Sequence, residues 1–320
     1  MAHPRFQDEL LDAVKEGDEA RAQALVSRLA AQPRKARAVL EAMLADPHAL
    51  MRQAAVFGLG VLGGAASARL LEQQLAREEA RGDYDGDSVA EEITRALGRV
   101  EEAGARARLV RRLERLAAGK TQPVDVDVLA GALWKRRHPD LLSPVRRSLD
   151  RLSPPVSNVV QGLLTLLEKT PEELETWARD SLVPVVRKTE VITVLDDELP
   201  DALVPVLPSF ISAASSLVER AMRKDDEASR YCDRLLSLLI DEAERVLPML
   251  SQETRSELRQ LTRRLVASVA LNCSLRAAVV LKLVGQPEDA ALIEAHRPAE
   301  PILAKVFDDA ARALRGLKDA

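Results

Sequence analysis

Residues 38–63, AVLEAMLADPHALMRQAAVFGLGVLG, constrain the fold of this chain more than any other stretch. They read as two amphipathic helices. Val39, Leu40, Met43 and Leu44 make an apolar stripe at helical spacing, and Asp46-Pro47 breaks it. The second helix then carries Arg52, Ala54, Ala55, Val56, Leu59 and Leu62, with Gly60 and Gly63-Gly64 read as its stop. Similar phrases return downstream: Leu59, Leu97, Leu133, Leu163 and Leu195 are separated by 38, 36, 30 and 32 residues. A unit of that length cannot bury its apolar face alone and has to stack on its neighbours. The expected fold is all-α, an α-solenoid of stacked antiparallel helix pairs.

Composition agrees. With 320 residues, 47% of them hydrophobic, the chain can bury a large core, yet only 2% are aromatic. Ala, Leu and Val supply most of the apolar content; Ala and Leu favour helix, and small side chains let helices approach closely. Ligand pockets usually recruit more aromatic lining than this. The formal charge is −4, from 46 basic and 50 acidic residues, which argues against a surface devoted to nucleic acid. Cys232 and Cys273 match no metal or redox spacing and read as small buried groups. The N-terminus carries no apolar run long enough for a signal peptide. The longest uncharged stretch, 202–218, is slightly short for a membrane span and reads as a buried helix pair. A cytoplasmic setting without a cofactor is the expectation.

Along the chain, 6–31 read as a first pair with Asp18 as an N-cap. GDYDGDS at 82–88 reads as a loop, and Ser88 with Glu91 as a capping box opening the next helix. A break is read at 119–123. Thr170-Pro171-Glu172-Glu173 is a helix start, and Asp196-Asp197-Glu198 a loop. Residues 1–200 form a first array. Residues 201–320 continue it, through an irregular segment at 201–264 to capping helices that end near 317, and the whole is compatible with one continuous solenoid. The phrase returns at 274–285, where Arg276 stands as Arg52 did. About eight or nine pairs fit the length.

The 38–63 stretch resembles a HEAT repeat, in the short bacterial form also called PBS-lyase-like. Asp46-Pro47, Arg52, Ala54-Ala55, Leu59-Gly60 and Gly63 carry the resemblance, with weaker echoes at 87–98 and 275–285. It implies that the small residues and the arginine serve packing between helices. It also implies an interaction scaffold; some HEAT-like proteins are DNA glycosylases and others handle bilins, and fold alone does not choose among them.

The strongest candidate site is a basic belt. Residues 95–151 hold 14 basic and 7 acidic residues, a net of +7, so the remainder carries −11. Arg108, Arg111, Arg112 and Arg115 fall at i, i+3, i+4 and i+7, one stripe of a helix whose adjoining face holds Leu109, Leu113 and Leu116. Trp134, Lys135, Arg136 and Arg137, then Arg146, Arg147 and Arg151, continue it in the following units. Aligned in a stack, these stripes would merge into a surface for an acidic protein segment. The alternative is that the arginines lie over packed leucines and pair with Glu101, Glu102, Glu114 and Asp140. Exposed pairs contribute only about 0–1 kcal/mol each, so stability alone does not call for so many.

Other motifs carry less. Asp83, Asp85 and Asp87 alternate as in a calcium loop, but Gly86 is fourth and Thr94 twelfth where an EF-hand has Gly sixth and Glu twelfth. His3, His48, His138 and His296 are dispersed, without a second ligand at i+3 or i+4. Trp134 and Trp177 suit a stacking contact or core packing. Arg255, Arg259 and Arg263, near Glu253 and Glu257, read as a solvated face. No Gly-rich phosphate loop, nucleophile elbow or HExxH occurs. The functional expectation is a non-enzymatic adaptor that holds an acidic protein partner on a concave surface bearing the belt. The rival is a HEAT-like DNA glycosylase or another nucleic-acid-binding HEAT protein.

Overall fold

Pro33 opens the first helix of the 38–63 phrase and Pro47 separates it from the second, and the structure, a computed structural model, forms both. It describes residues 4–119, 126–223 and 225–316. His3, the greater part of the break read at 119–123, and the end of the last helix near 317 lie outside the described residues. Among the described residues all regular structure is helical and no strand occurs. The chain divides into two compact units, Met1–Leu167 and Glu168–Ala320, upstream of the change of array read at 200.

The first unit contains α1 (Pro4–Lys15), α2 (Glu19–Leu29), α3 (Pro33–Met43), α4 (Ala49–Leu62), α5 (Gly64–Arg81), α6 (Tyr84–Arg99), α7 (Ala103–Ala117), α8 (Val126–Lys135), α9 (Leu142–Leu149) and all but the last residue of α10 (Val156–Glu168). A 3-10 turn, Pro139–Leu141, leads into α9. Helix α4 packs on α6 and α6 on α8; α5 packs on α7 and α7 on α9. Each of these helices touches its second neighbour in sequence, which sets up two rows of alternating helices.

The Leu-Gly phrase explains the first row. Leu59 and Leu97 are buried, and each is followed by a glycine facing the next helix in the row. A Cβ on Gly60 would lie 3.0 Å from the Ala96 Cα, and one on Gly98 would lie 3.0 Å from the Ala132 Cα. Gly60 therefore does not stop α4; it lies inside the helix, where the missing side chain lets α6 approach. Gly63, at φ 63°, ends α4. Replacing Gly98 by Val is expected to overpack the α6–α8 contact and cost about 1–3 kcal/mol. An unchanged Tm for G98V would separate the glycine from the packing.

Capping follows the sequence in two places and departs from it in a third. The Asp18 side chain accepts from the Arg21 N–H at 2.9 Å. Thr170 and Glu173 form a full capping box: the Thr170 N–H donates to Glu173 at 2.9 Å, and the Glu173 N–H to Thr170 Oγ1 at 3.3 Å. At 82–88 the expected loop is instead the start of α6. Asp83 accepts from the Gly86 N–H at 2.7 Å, and Asp85 and Asp87 sit in the first turn, where the helix dipole favours carboxylates. Ser88 is then already inside the helix, and accepts from Gln53 Nε2 at 2.6 Å rather than capping.

The second unit contains α11 (Pro171–Arg179), α12 (Val185–Asp197), α13 (Leu207–Met222), α14 (Asp226–Asp241), α15 (Ala243–Val246), α16 (Gln252–Leu265), α17 (Leu271–Val284), α18 (Asp289–Ala295) and α19 (Pro301–Leu314). Here α12, α14, α17 and α19 pack in series, as do α11, α13 and α16. The uncharged stretch is not a helix pair. A 3-10 run, Asp201–Val206, contains Pro205 and continues directly into α13, which has Pro208 in its first turn. Asp201–Met222 is long and apolar enough to cross a membrane by length and composition, and 61% of its apolar window is buried. Helices α11, α14 and α16 cover it, and the Tyr231 hydroxyl on α14 donates to the Phe210 carbonyl at 2.9 Å. Asp196 and Asp197 close α12 rather than forming a loop. With the one-turn α15 set aside, the described helices fall into nine consecutive pairs.

Candidate binding surface

On α7 the spacing of Leu109, Leu113 and Leu116 buries one stripe, and this aims the arginines at the neighbouring helices. Arg108 Nε donates to Glu72 Oε2 on α5 at 2.9 Å, and Arg111 holds the same carboxylate. Arg112 Nε lies 3.6 Å from Glu79 and an Arg115 nitrogen 3.3 Å from it. Arg112 also donates to the Ala90 carbonyl of α6 at 3.3 Å. Arg108 and Arg111 thus share Glu72, and Arg112 and Arg115 share Glu79. Burial pushes the Glu72 carboxyl up, but the hydrogen bonds and charges of Arg111 and Arg108 outweigh it and hold it below the usual glutamate range.

Two of the acidic residues read as partners, Asp140 and Glu114, do pair with belt arginines, while the carboxylates on the α7 stripe are Glu72 and Glu79. Asp140 binds Arg106 at 2.6 Å, and Glu114 lies 3.5 Å from Arg147 on α9. Glu72 and Glu79 escape a local reading because Arg108 and Arg115 lie 36 residues beyond them, outside any short window. That interval equals the spacing of Leu97 and Leu133, so projecting the repeat period onto charged positions finds both pairs.

Two grooves border α7. One of about 320 Å³ lies against α5, with Leu75, Ala76 and Ala118 among its apolar lining and Arg108, Arg111 and Arg115 on its wall. The other, about 290 Å³, lies against α9 between Glu114, Ala117, Arg147 and Arg151. Glu114 lines both, so the two adjoin along the helix. Arg146, Arg147 and Arg151 are exposed. Lys135 and Arg136 are half-buried and Arg137 exposed, and none of the three lines either groove. Trp134 is only 4% exposed, packed in the core with the Arg137 guanidinium 4.9 Å from its ring centroid. Its indole is thus placed for packing, not for stacking on a bound base or peptide. Trp177 is half-buried on α11.

Other polar clusters serve the fold. Arg52 is buried and makes a bidentate pair with Glu78 on α5 at 2.8 and 3.1 Å, while its third nitrogen donates to the Asp46 and Pro47 carbonyls at 3.0 and 2.9 Å. Gln74 Nε2 donates to the same Glu78 at 2.5 Å. In the second unit the expected solvated face is an inward clasp. Arg259 and Arg263 both bind Asp289, which has no exposure at all. Arg276 does not repeat the contacts of Arg52; it pairs with Asp233 at 2.5 Å. Cys232 and Cys273 are free and buried, and burial pushes the Cys273 thiol up to about 12, so both stay protonated. Among the described residues no three His, Cys, Asp or Glu side chains converge as metal ligands.

Asp196, at the end of α12, has one carboxylate oxygen buried without a hydrogen-bond partner. Burial and the facing Asp241 carboxylate raise it to about 6, against the opposing pull of Arg234 and Arg276. A folded-state value above the unfolded one makes its contribution to stability complete below about pH 4 and lost as pH rises through about 6. Asp196→Asn is therefore expected to stabilise the protein at pH 7.5 by about 1 kcal/mol, allowing for partial solvent screening. A D196N urea midpoint that tracks the parent at both pH 5 and pH 7.5 would contradict this.

Comparison with protein-family models and with curated proteins gives no match for this chain.

Proposed function

We propose that the chain is a HEAT-like α-solenoid adaptor, not an enzyme, and that the α5–α7–α9 face docks an acidic segment of a protein partner. The observation that carries this reading is a row of arginines over an apolar floor: Arg108, Arg111 and Arg115 in one groove and Arg147 and Arg151 in the adjoining one, against Glu72 and Glu114, beside Leu75, Ala76 and Ala118. The arginines attract carboxylates, and the apolar floor suits leucine-like side chains between them. A nucleic-acid backbone has no use for that floor. A DNA glycosylase also needs an aromatic and a free carboxylate beside a flipped base. Trp134 is inside the core, and Glu72 and Glu79 are taken by arginines.

The test is fluorescence anisotropy with a labelled Glu/Leu/Ala helical peptide, using the full chain and a variant with Arg111, Arg115, Arg147 and Arg151 changed to Glu. The parent is expected to bind and to weaken with salt, and the variant to lose at least about tenfold with its circular dichroism unchanged. Equal binding by the two proteins would end this assignment. A DNA gel shift with a steep salt slope would favour the nucleic-acid reading instead.

A further inference from the structure

The α4–α6 row of the first unit carries a pocket of its own, about 330 Å³, at the small end of ligand-site volumes. Gln53 and Phe57 stand at i and i+4 on α4, and Ser88, Glu91, Glu92 and Arg95 at i, i+3, i+4 and i+7 on α6, so each helix turns one face to it. The close approach at Gly60 and Ala96 sets these faces side by side, with Gln53 donating to Ser88 at 2.6 Å. The end of α1 and the start of α2, both packed on α4, complete the wall with Val14 and Glu19.

Three of the lining side chains are carboxylates and one is a guanidinium. Glu92 is used within the fold: one oxygen binds Arg99 at 2.8 Å and the other lies 3.7 Å from Arg95. Glu91 gives one oxygen to Arg95, and Glu19 gives one to Arg99 at 3.3 Å. The second oxygen of each has no hydrogen-bond partner among the described residues. These side chains are 28% and 73% exposed, so an arriving group can reach them. The Phe57 ring already lies under a cation, the Arg99 guanidinium 4.8 Å from its centroid, which is the placement an aromatic quadrupole favours.

We propose that this pocket binds an organic cation, a guanidinium or ammonium group on an aliphatic stem. What the lining still offers is mainly acceptors: the second oxygens of Glu19 and Glu91, and the amide oxygen of Gln53, whose nitrogen is taken up by Ser88. A guanidinium brings five N–H donors and an ammonium three, and neither carries an acceptor to leave unmatched. The stem packs against Val14 and the edge of Phe57. The same carboxylates repel phosphate, so the aromatic ring here does not make a nucleic-acid site. The inference goes beyond the adaptor reading and does not rest on it, because no belt arginine lines this pocket.

The experiment is fluorescence anisotropy with the full chain and a short labelled peptide of alanine, glycine and arginine. A second peptide has citrulline for arginine, which keeps the shape and loses the charge. The parent is expected to bind the arginine peptide and not the citrulline one. E19Q/E91Q is expected to weaken that binding about three- to thirty-fold, the worth of two partly exposed ion pairs, with parental circular dichroism and Tm. E72Q/E79Q removes the same charge from α5 and is expected to bind as the parent does. Equal weakening by the two double variants would show diffuse attraction and overturn the site. Unchanged binding by E19Q/E91Q, or no binding by the parent, overturns it as well. Unlabelled arginine amide, matched in guanidinium concentration, separates the sources: displacement assigns the pocket to a small free cation, and its absence to a side chain of a protein. Any of the overturning results leaves the adaptor reading standing, since its own test uses an acidic peptide and the α7 and α9 arginines.

Discussion

Glu78→Ala is expected to destabilise the first unit by about 3–5 kcal/mol, several times the cost of removing a carboxylate from an exposed pair. Glu78 is 1% exposed and accepts both nitrogens of a bidentate guanidinium, at 2.8 and 3.1 Å. Its partner Arg52 is 2% exposed and has no route to water, so the truncation leaves a desolvated cation held only by the Asp46 and Pro47 carbonyls. Gln74 loses an acceptor at the same time. The pair ties the α3–α4 turn to α5, so the loss spreads through three helices. Thermal melting is expected to shift down by roughly 10 °C or more for a unit of this size, with amide exchange accelerated first in α3 to α5. Replacing both partners, Arg52→Met with Glu78→Leu, is expected to recover most of the loss, since exchanging a buried pair for apolar side chains is often close to neutral. A double variant as unstable as Glu78→Ala would mean that packing shape, not charge pairing, sets the cost.

Asp289→Ala is expected to cost about 2–4 kcal/mol in the second unit. The carboxylate is fully buried, accepts from Arg259 at 2.7 and 3.2 Å, from Arg263, and from the Gln286 N–H at 2.9 Å. The loss is smaller than for Glu78 because Arg259 and Arg263 are 20% and 40% exposed and can turn toward water. Burial raises the Asp289 carboxyl, and the hydrogen bonds from Arg259 and Gln286 with the nearby arginine charges outweigh that and hold it below the usual aspartate range. Its stabilisation is therefore complete above the unfolded value near 3.8 and lost as pH falls through the lower folded value. That sign is opposite to the one for Asp196. Urea midpoints of the parent and D289A are expected to differ fully at pH 6 and to converge toward pH 2. A gap that persists at pH 2 would locate the effect in packing.

Much of the packing is legible in the chain itself. Leu59, Leu97, Leu133, Leu163 and Leu195 are all buried, and the small residues after two of them lie where helices approach closest. Apolar periodicity is a local property, so a short window reveals it. The charged surface is less legible. The arginines of α7 stand on one stripe as their spacing requires, but whether they face solvent depends on what the neighbouring helix presents, and that helix begins nearly 40 residues earlier. The same limit hides the second stripe: Arg259 and Arg263 look solvated in sequence because Asp289 lies 30 and 26 residues away. The segment at 82–88 reads as a loop for a different reason. Its aspartates suit both a turn and a helix start, and the Asp83 hydrogen bond to Gly86 decides for helix.

The order of residues alone determined that this chain is helical, and at the stretches with clear caps, prolines and apolar stripes it also placed helix starts and buried faces. Those features depend on spacing within a few turns and on the dihedral limits of Pro and Gly. Only the tertiary structure decided which charges meet. A guanidinium pairs with whatever carboxylate the fold brings within about 4 Å, whatever the sequence separation, and that proximity comes from the stacking of helices. The exclusion of Trp134 from the surface and the meeting of the α7 arginines with Glu72 and Glu79 both arise at that level, and so does the arginine-lined groove from which the binding reading starts.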